Sequence, residues 1–108
     1  MSGMKAAWLK GHLDLLLLTT LRDRPAHGYA VAESLRTGSD GVFDLGEGTI
    51  YPALHRLERV GLLTSAWSDE SGRRRRVYRL TAAGRRELAA QTHTWRLFAR
   101  AVDAVTVS

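Results

Sequence analysis

Positions 73–79 of the 108-residue chain read RRRRVYR, five arginines and no acid. A guanidinium is planar, permanently charged and forked, which suits phosphate oxygens and narrow, electronegative minor grooves. The chain has 16 basic and 11 acidic groups, so removing these five leaves 11 against 11. The net charge of +5 therefore sits in one short segment, and a localised patch is a footprint for a polyanion where a diffuse excess is not. The plainer reading of the same run is a solvated charged hairpin. A second set, Thr49, Tyr51, His55 and Arg56, falls on one side of a helical pattern with Pro52 among them. These are hydrogen-bonding side chains of the kind that meet base edges.

Other chemistries find less support. His12, His27, His55 and His93 fall one per element, without close spacing or a carboxylate pair, so no metal site is expected. There is no cysteine, which removes disulfides and thiol catalysis. No nucleophile, base and orienting group recur together. Thr81 to Gly84 reads as a helix cap, not a phosphate loop. The expectation is a non-enzyme without cofactors. The N-terminal stretch lacks a signal-peptide pattern, and no apolar run approaches the roughly 20 residues of a membrane span. With 44% apolar and 25% charged residues, a soluble, cytoplasmic single domain with no membrane partner is predicted.

The elements that must position these side chains follow from periodicity. Residues 4–23 read as a helix with Leu9, Leu13, Leu16, Leu17 and Leu21 on one face, and with Leu15 and Leu18 off it. Pro25 ends that run. A shorter helix over 27–36 would bury Val31, Ala32 and Leu35, with His27-Gly28-Tyr29 ordering its start. Thr37 to Gly41 is turn chemistry, and Val42, Phe43 and Leu45 would tuck the next loop onto the core. A third helix has Ile50, Ala53, Leu54, Leu57 and Val60 as its buried stripe, and Gly61 closes it. Proline is cheapest in a first turn, so Gly48 or Thr49 is the preferred cap; a start at Gly46 would leave Pro52 deeper, with an irregular first turn. Residues 62–67 and 73–80 make two strands around the polar turn at 68–72, with Trp67 as hairpin packing and with Tyr78 and Leu80 sharing a face. Thr81 caps a last helix running to about Val105.

Helix, helix, helix, hairpin is the order of a winged helix-turn-helix, in which the third helix enters the major groove and the wing flanks it over the backbone. The fold class expected is mainly α with a small β-hairpin (α+β), residues 1–80 forming the DNA-binding domain and 81–108 a C-terminal dimerisation helix. From residue 16 to 84 the chain resembles the PadR-like transcriptional regulators, through HGYAVAESL (27–35), FDLGEGTIYPALHRLERVGLL (43–63) and SGRRRRVYRLTAAG (71–84). One departure is Gly46, where that family often has serine. The resemblance implies a homodimeric repressor of the short-tailed subgroup, bound to an inverted-repeat double-stranded operator and released by a small, often aromatic, effector. By motif match Tyr29, Thr49, Tyr51, His55 and Arg56 would face DNA, with Pro52 beside Tyr51 at the helix start and Arg73, Arg74, Arg75 and Arg76 in the wing.

Along the last helix Leu88, Gln91, Trp95, Phe98, Val102 and Val105 recur at steps of three and four, the seam of a coiled coil. The repeat is short, so a helix lying on its own core is the competing reading. The first three helices and the hairpin fill the core expected of a chain this size, which favours a self-partner. Two readings of Trp95 stand together: a seam residue anchoring a dimer, or one wall of a pocket for a flat aromatic molecule. Phe98, with Trp8 or Leu15 of the other subunit, would complete such a pocket. The rival class is a winged-helix interaction module whose arginine run binds an acidic protein.

Overall fold

The computed structural model describes residue 9 and residues 11–107. Among them are four helices, α1 (Leu13–Thr20), α2 (Gly28–Gly38), α3 (Glu47–Arg59) and α4 (Ala82–Thr106). Three strands, β1 (Ala26–His27), β2 (Leu63–Ser68) and β3 (Arg75–Leu80), form an antiparallel sheet in the order β1-β3-β2. Of the expected first helix, residues 4–8 lie outside the described residues. The described helix begins only at Leu13, after Gly11 at φ +85°, a conformation natural to glycine that interrupts a helix.

α1 carries apolar residues all round, and it is enclosed on more than one side for that reason. Leu17, Leu18 and Leu21 are fully buried, whereas Leu13, Leu15 and Leu16 pack at the margin of the core. Leu18, read from sequence as off the stripe, is therefore at the centre of it. α2 buries Val31 and Leu35 and half-buries Ala32. Phe43 and Leu45 pack on the core as expected, but Val42 stays exposed.

α3 buries Ile50, Ala53, Leu54 and Leu57. Its expected fifth member, Val60, is 60% exposed, because it is the C-cap and the chain has already begun to turn. Gly61, at φ +87°, donates its amide to Glu58 O at 3.0 Å, and Leu62 donates to Leu57 O at 2.9 Å. That pairing satisfies two orphan carbonyls and needs the left-handed residue that glycine supplies.

The start of α3 differs from the preferred one. Gly46, extended at φ −88°, ψ 174°, is the N-cap, and the amides of Thr49 and Ile50 both close on its carbonyl at 3.0 Å. Thr49 is inside the helix, and no side chain caps it. Glu47 in the first turn supplies the negative charge that the positive helix end favours. Pro52 thus lies well inside, and the amide it lacks would have met the carbonyl of Gly48. Gly48 and Pro52 are both exposed, so water can take that carbonyl.

Thr81 joins three elements. Its hydroxyl accepts from the Gly84 amide at 3.0 Å as the cap of α4, donates to Gly61 O at 2.7 Å, and its own amide donates to Leu62 O at 3.1 Å. Gly84 is buried beneath the same carbonyl: a Cβ there would overlap Leu62 O and stand 3.1 Å from Leu62 C. α4 then runs 25 residues, of which only Gly84 and Leu88 are buried.

Gly84→Ala is expected to cost about 1–3 kcal/mol in urea denaturation, because backbone cannot yield to a methyl as a side chain can. Gly48→Ala has open space around it and should instead stabilise by about 0.5–1 kcal/mol through lost unfolded-state freedom. Equal effects at the two positions would contradict this packing.

Candidate nucleic-acid interface

The buried stripe of α3 leaves Tyr51, Pro52, His55, Arg56 and Arg59 toward the outside, with Thr49 half-buried beside them. Tyr51 leans back across α2. A Cβ on Gly28 would lie 2.6 Å from its Cζ and 2.8 Å from its hydroxyl, so the ring rests directly on glycine backbone. Its other side faces His55, with ring centroids 6.4 Å apart. Tyr29, at the second position of α2, is exposed and stacks on His27 at 6.4 Å with 19° between the planes. Two pairs of polar aromatic rings result, Tyr29 with His27 at the start of α2 and Tyr51 with His55 on α3.

The wing splits its arginines by strand alternation. β3 pairs with β2 in the register Trp67↔Arg76 and Ser68↔Arg75. Arg74 and Arg76 turn to one side and stack over Trp67, with guanidinium carbons 5.0 and 5.3 Å from the ring centroid. Trp67 is 56% exposed, so it is a platform for cations rather than core packing. Arg75 turns the other way, and its Nη1 lies 2.6 Å from His27 Nε2. Strand geometry begins only at Arg75; Arg73 and Arg74 belong to the loop that follows a short 3-10 turn at Glu70–Gly72. A cleft of about 480 Å³ lies between helices and wing, lined by His27, Tyr29, Glu47, Tyr51, Trp67 and Arg73, Arg74, Arg75 and Arg76.

His27 lies between these parts and contacts both. Its Nδ1 accepts from the Ala30 amide at 3.2 Å as the cap of α2. A neutral imidazole accepts at one nitrogen only, so the Ala30 and Arg75 contacts alternate with tautomer, and a proton on both nitrogens would abolish each. Burial, and then the charge of Arg75, hold its pKa below the usual 6.5.

Two arginines are less free than their types suggest. Arg56 reaches away from the helix to the carboxylate of Asp14 in α1. Arg76 lies 3.9 Å from Glu58, which also accepts from the Ser65 hydroxyl at 2.7 Å. Asp14 and Trp67 had no assigned part in the site from sequence. Trp67 was legible once the strand register was counted from the turn. Asp14 was not, since it lies 42 positions from Arg56.

Elsewhere on the same chain, Leu15, Trp95 and Phe98 come together in an open groove of about 380 Å³ with Gly11, His12, Glu87, Ala90, Gln91 and Thr94. His12 meets the Trp95 ring edge-on at 5.3 Å, and Phe98 lies 6.0 Å from Trp95. Leu88 is in the core of its own chain, Val102 lies further along α4 outside the groove, and Trp8 falls outside the described residues. Among the described residues no three His, Asp or Glu gather as metal ligands, and no helix is long and apolar enough to cross a membrane.

Residues 17–90 match the family described as the Transcriptional regulator PadR-like family. The chain is 40% identical over 88 residues to transcriptional regulator Rv3488 of Mycobacterium tuberculosis, covering 82% of this chain and 79% of that one. It superposes on a PadR family transcription regulator from Clostridium difficile with a TM-score of 0.77 at 34% identity, over 86% of this chain and 96% of that one. A transcriptional regulator from Clostridium thermocellum gives a TM-score of 0.82 at 26% identity, over 91% and 96%.

The sign of one pH effect follows from His27. Below pH 6.5 the unfolded chain takes up a proton that the folded ring resists, so this residue's contribution is complete above 6.5 and is lost as pH falls through the lowered folded value. Wild-type stability should therefore drop between about pH 7.5 and about pH 5 by more than that of His27→Asn, whose amide caps without titrating. Parallel urea-midpoint curves for the two proteins would refute the assignment.

Proposed function

This chain belongs to the PadR-like family of transcriptional regulators, and from that premise we propose that it is a homodimeric repressor reading an inverted-repeat operator in double-stranded DNA. The observation that carries the reading is the convergence of the outer face of α3, the start of α2 and the arginine wing on one cleft. Thr49, Tyr51 and His55 supply the groups that meet bases in the major groove. Tyr29 offers a hydroxyl to phosphate, and Arg73 and Arg74, with Arg76 stacked on Trp67, supply charge over the backbone. The matched relatives regulate transcription, which supports a role without catalysis.

The self-partner is proposed from α4. Beyond Leu88 it exposes Trp95, Phe98, Val102 and Val105 along one side, with Trp95 at 43% and Phe98 at 55%. A contiguous apolar face of this kind marks an interaction surface, and a two-fold pairing would set two recognition helices about one turn of DNA, roughly 34 Å, apart. The groove beneath Trp95 is the proposed seat of a small planar aromatic effector. Such a molecule releases DNA only if it binds one arrangement of the helices better than the other.

Three substitutions separate these roles. Arg74→Ala should weaken operator and random duplex alike and lower the salt slope by about one, whereas His55→Ala should cost the operator about 1–3 kcal/mol and leave random duplex unchanged. Phe98→Glu should give a monomer by ultracentrifugation and lower operator affinity by about 100-fold through lost avidity. Salt-independent or absent duplex binding by the wild type would favour the interaction module instead.

A further inference from the structure

This inference rests on the DNA-binding reading above. Arg56 shares the outer face of α3 with Tyr51 and His55, yet its fork is already closed. Nη1 donates to Asp14 Oδ2 at 3.2 Å, and Nη2 donates to Oδ1 of the same carboxylate. The two side chains are 45% and 28% exposed, so the pair lies at the surface with Asp14 as its more sheltered member. Asp14 is in the first turn of α1, where a negative charge meets the positive end of the helix dipole. The bond to Asp14 is also the largest cause of the tightened hold of Arg56 on its proton.

The geometry that grips a carboxylate is the geometry that grips guanine O6 and N7. One guanidinium edge cannot serve both acceptors. The guanidinium donor is charged in both cases, but only the carboxylate adds a full opposite charge, so the ion pair is the stronger of the two. We propose that Asp14 is a specificity-determining residue of the DNA site: it withholds Arg56 from the bases, so that reading falls to Thr49, Tyr51 and His55. Arg56 then ties the recognition helix to α1, and the DNA face presents one positive charge fewer than its composition suggests. Asp14 acts through Arg56 and is a positioning residue in this scheme.

The test is a cycle of Asp14→Asn, Arg56→Ala and the double variant, with Asp14→Glu as the charge-retaining control. Binding to random duplex is measured by fluorescence anisotropy across a salt series, and the preferred sequence is obtained by selection from a randomised duplex library. Asp14→Asn should bind random duplex about tenfold more tightly, steepen the log–log salt slope by about one, and enrich an additional guanine in each half-site. Asp14→Glu should retain the wild-type slope and sequence. The gains should vanish in the double variant.

An Asp14→Asn protein indistinguishable from wild type overturns the proposal. A gain that persists without Arg56 does so too, since the acid would then act only by repelling phosphate. Loss of folding in Asp14→Asn, seen by circular dichroism, also overturns it, because the pair would then be a brace and not a mask. If wild type shows no salt-dependent duplex binding, the DNA-binding reading itself fails and the proposal with it. Wild-type binding with an unresponsive Asp14→Asn removes the proposal alone.

Discussion

The carbonyl of Leu62 is the point on which the relative placement of the wing, α3 and α4 depends. It accepts from the Thr81 amide, while the Thr81 hydroxyl holds Gly61 O and the Gly84 amide together. Gly84 lies so close beneath that a methyl would overlap the carbonyl. These contacts gather the end of α3, the two ends of the hairpin and the first turn of α4 within a few residues. A backbone-to-backbone approach has no flexible end to absorb change. The angle between α3 and α4 is thereby a property of packing rather than of a linker.

A second constraint acts at the other end of the site. α3 can expose Tyr51 toward the wing only because Gly28 lets the ring lie on the backbone of α2. His27, one residue earlier, accepts from the start of α2 or from Arg75 of β3 according to its tautomer, and is itself paired in the sheet with Val77. The arginine strand is thus attached to the same two residues, 27 and 28, that seat α3. Affinity and reading face are not independent modules joined by a hinge; they share a support that is one imidazole wide and has no spare acceptor.

Much of the architecture was legible because helical periodicity is a strong signal. Ile50, Ala53, Leu54 and Leu57 define the buried side of α3 by spacing alone, and Thr81 and Gly61 mark helix ends through the chemistry of caps. Legibility stopped where a neighbour in space decides the outcome. Val60 continues the stripe in sequence, but the turn that Gly61 forces carries it into solvent. β1 has two residues and exists only because β3 lies beside it, too short for any pattern. The start of α3 was misplaced because proline economy favoured Thr49, whereas the cap is a glycine with no side chain to announce it and a solvated Gly48 carbonyl lightens the penalty at Pro52. In the site, the side of the helix was readable and the freedom of each group on it was not.

That last distinction changes how the charge of the chain should be read. The formal excess of +5 was assigned to the arginine segment by subtraction, which treats every other basic group as cancelled somewhere. The structure shows local cancellations on the candidate face itself, Arg56 against Asp14 and Arg76 near Glu58, with Glu47 facing into the cleft. Among the described residues, Arg73, Arg74, Arg75 and Arg79 of the wing stand without an ion pair, and Arg74 is held in place by Trp67. A guanidinium ordered on an indole face loses little further freedom on meeting phosphate, whereas one paired with a carboxylate must first exchange partners. In the proposed DNA-binding reading, phosphate contacts therefore fall to the wing and its aromatic platform, and α3 is left nearly neutral. A near-neutral reading surface beside a cationic wing separates the sequence-blind part of binding from the part that depends on shape and hydrogen bonding.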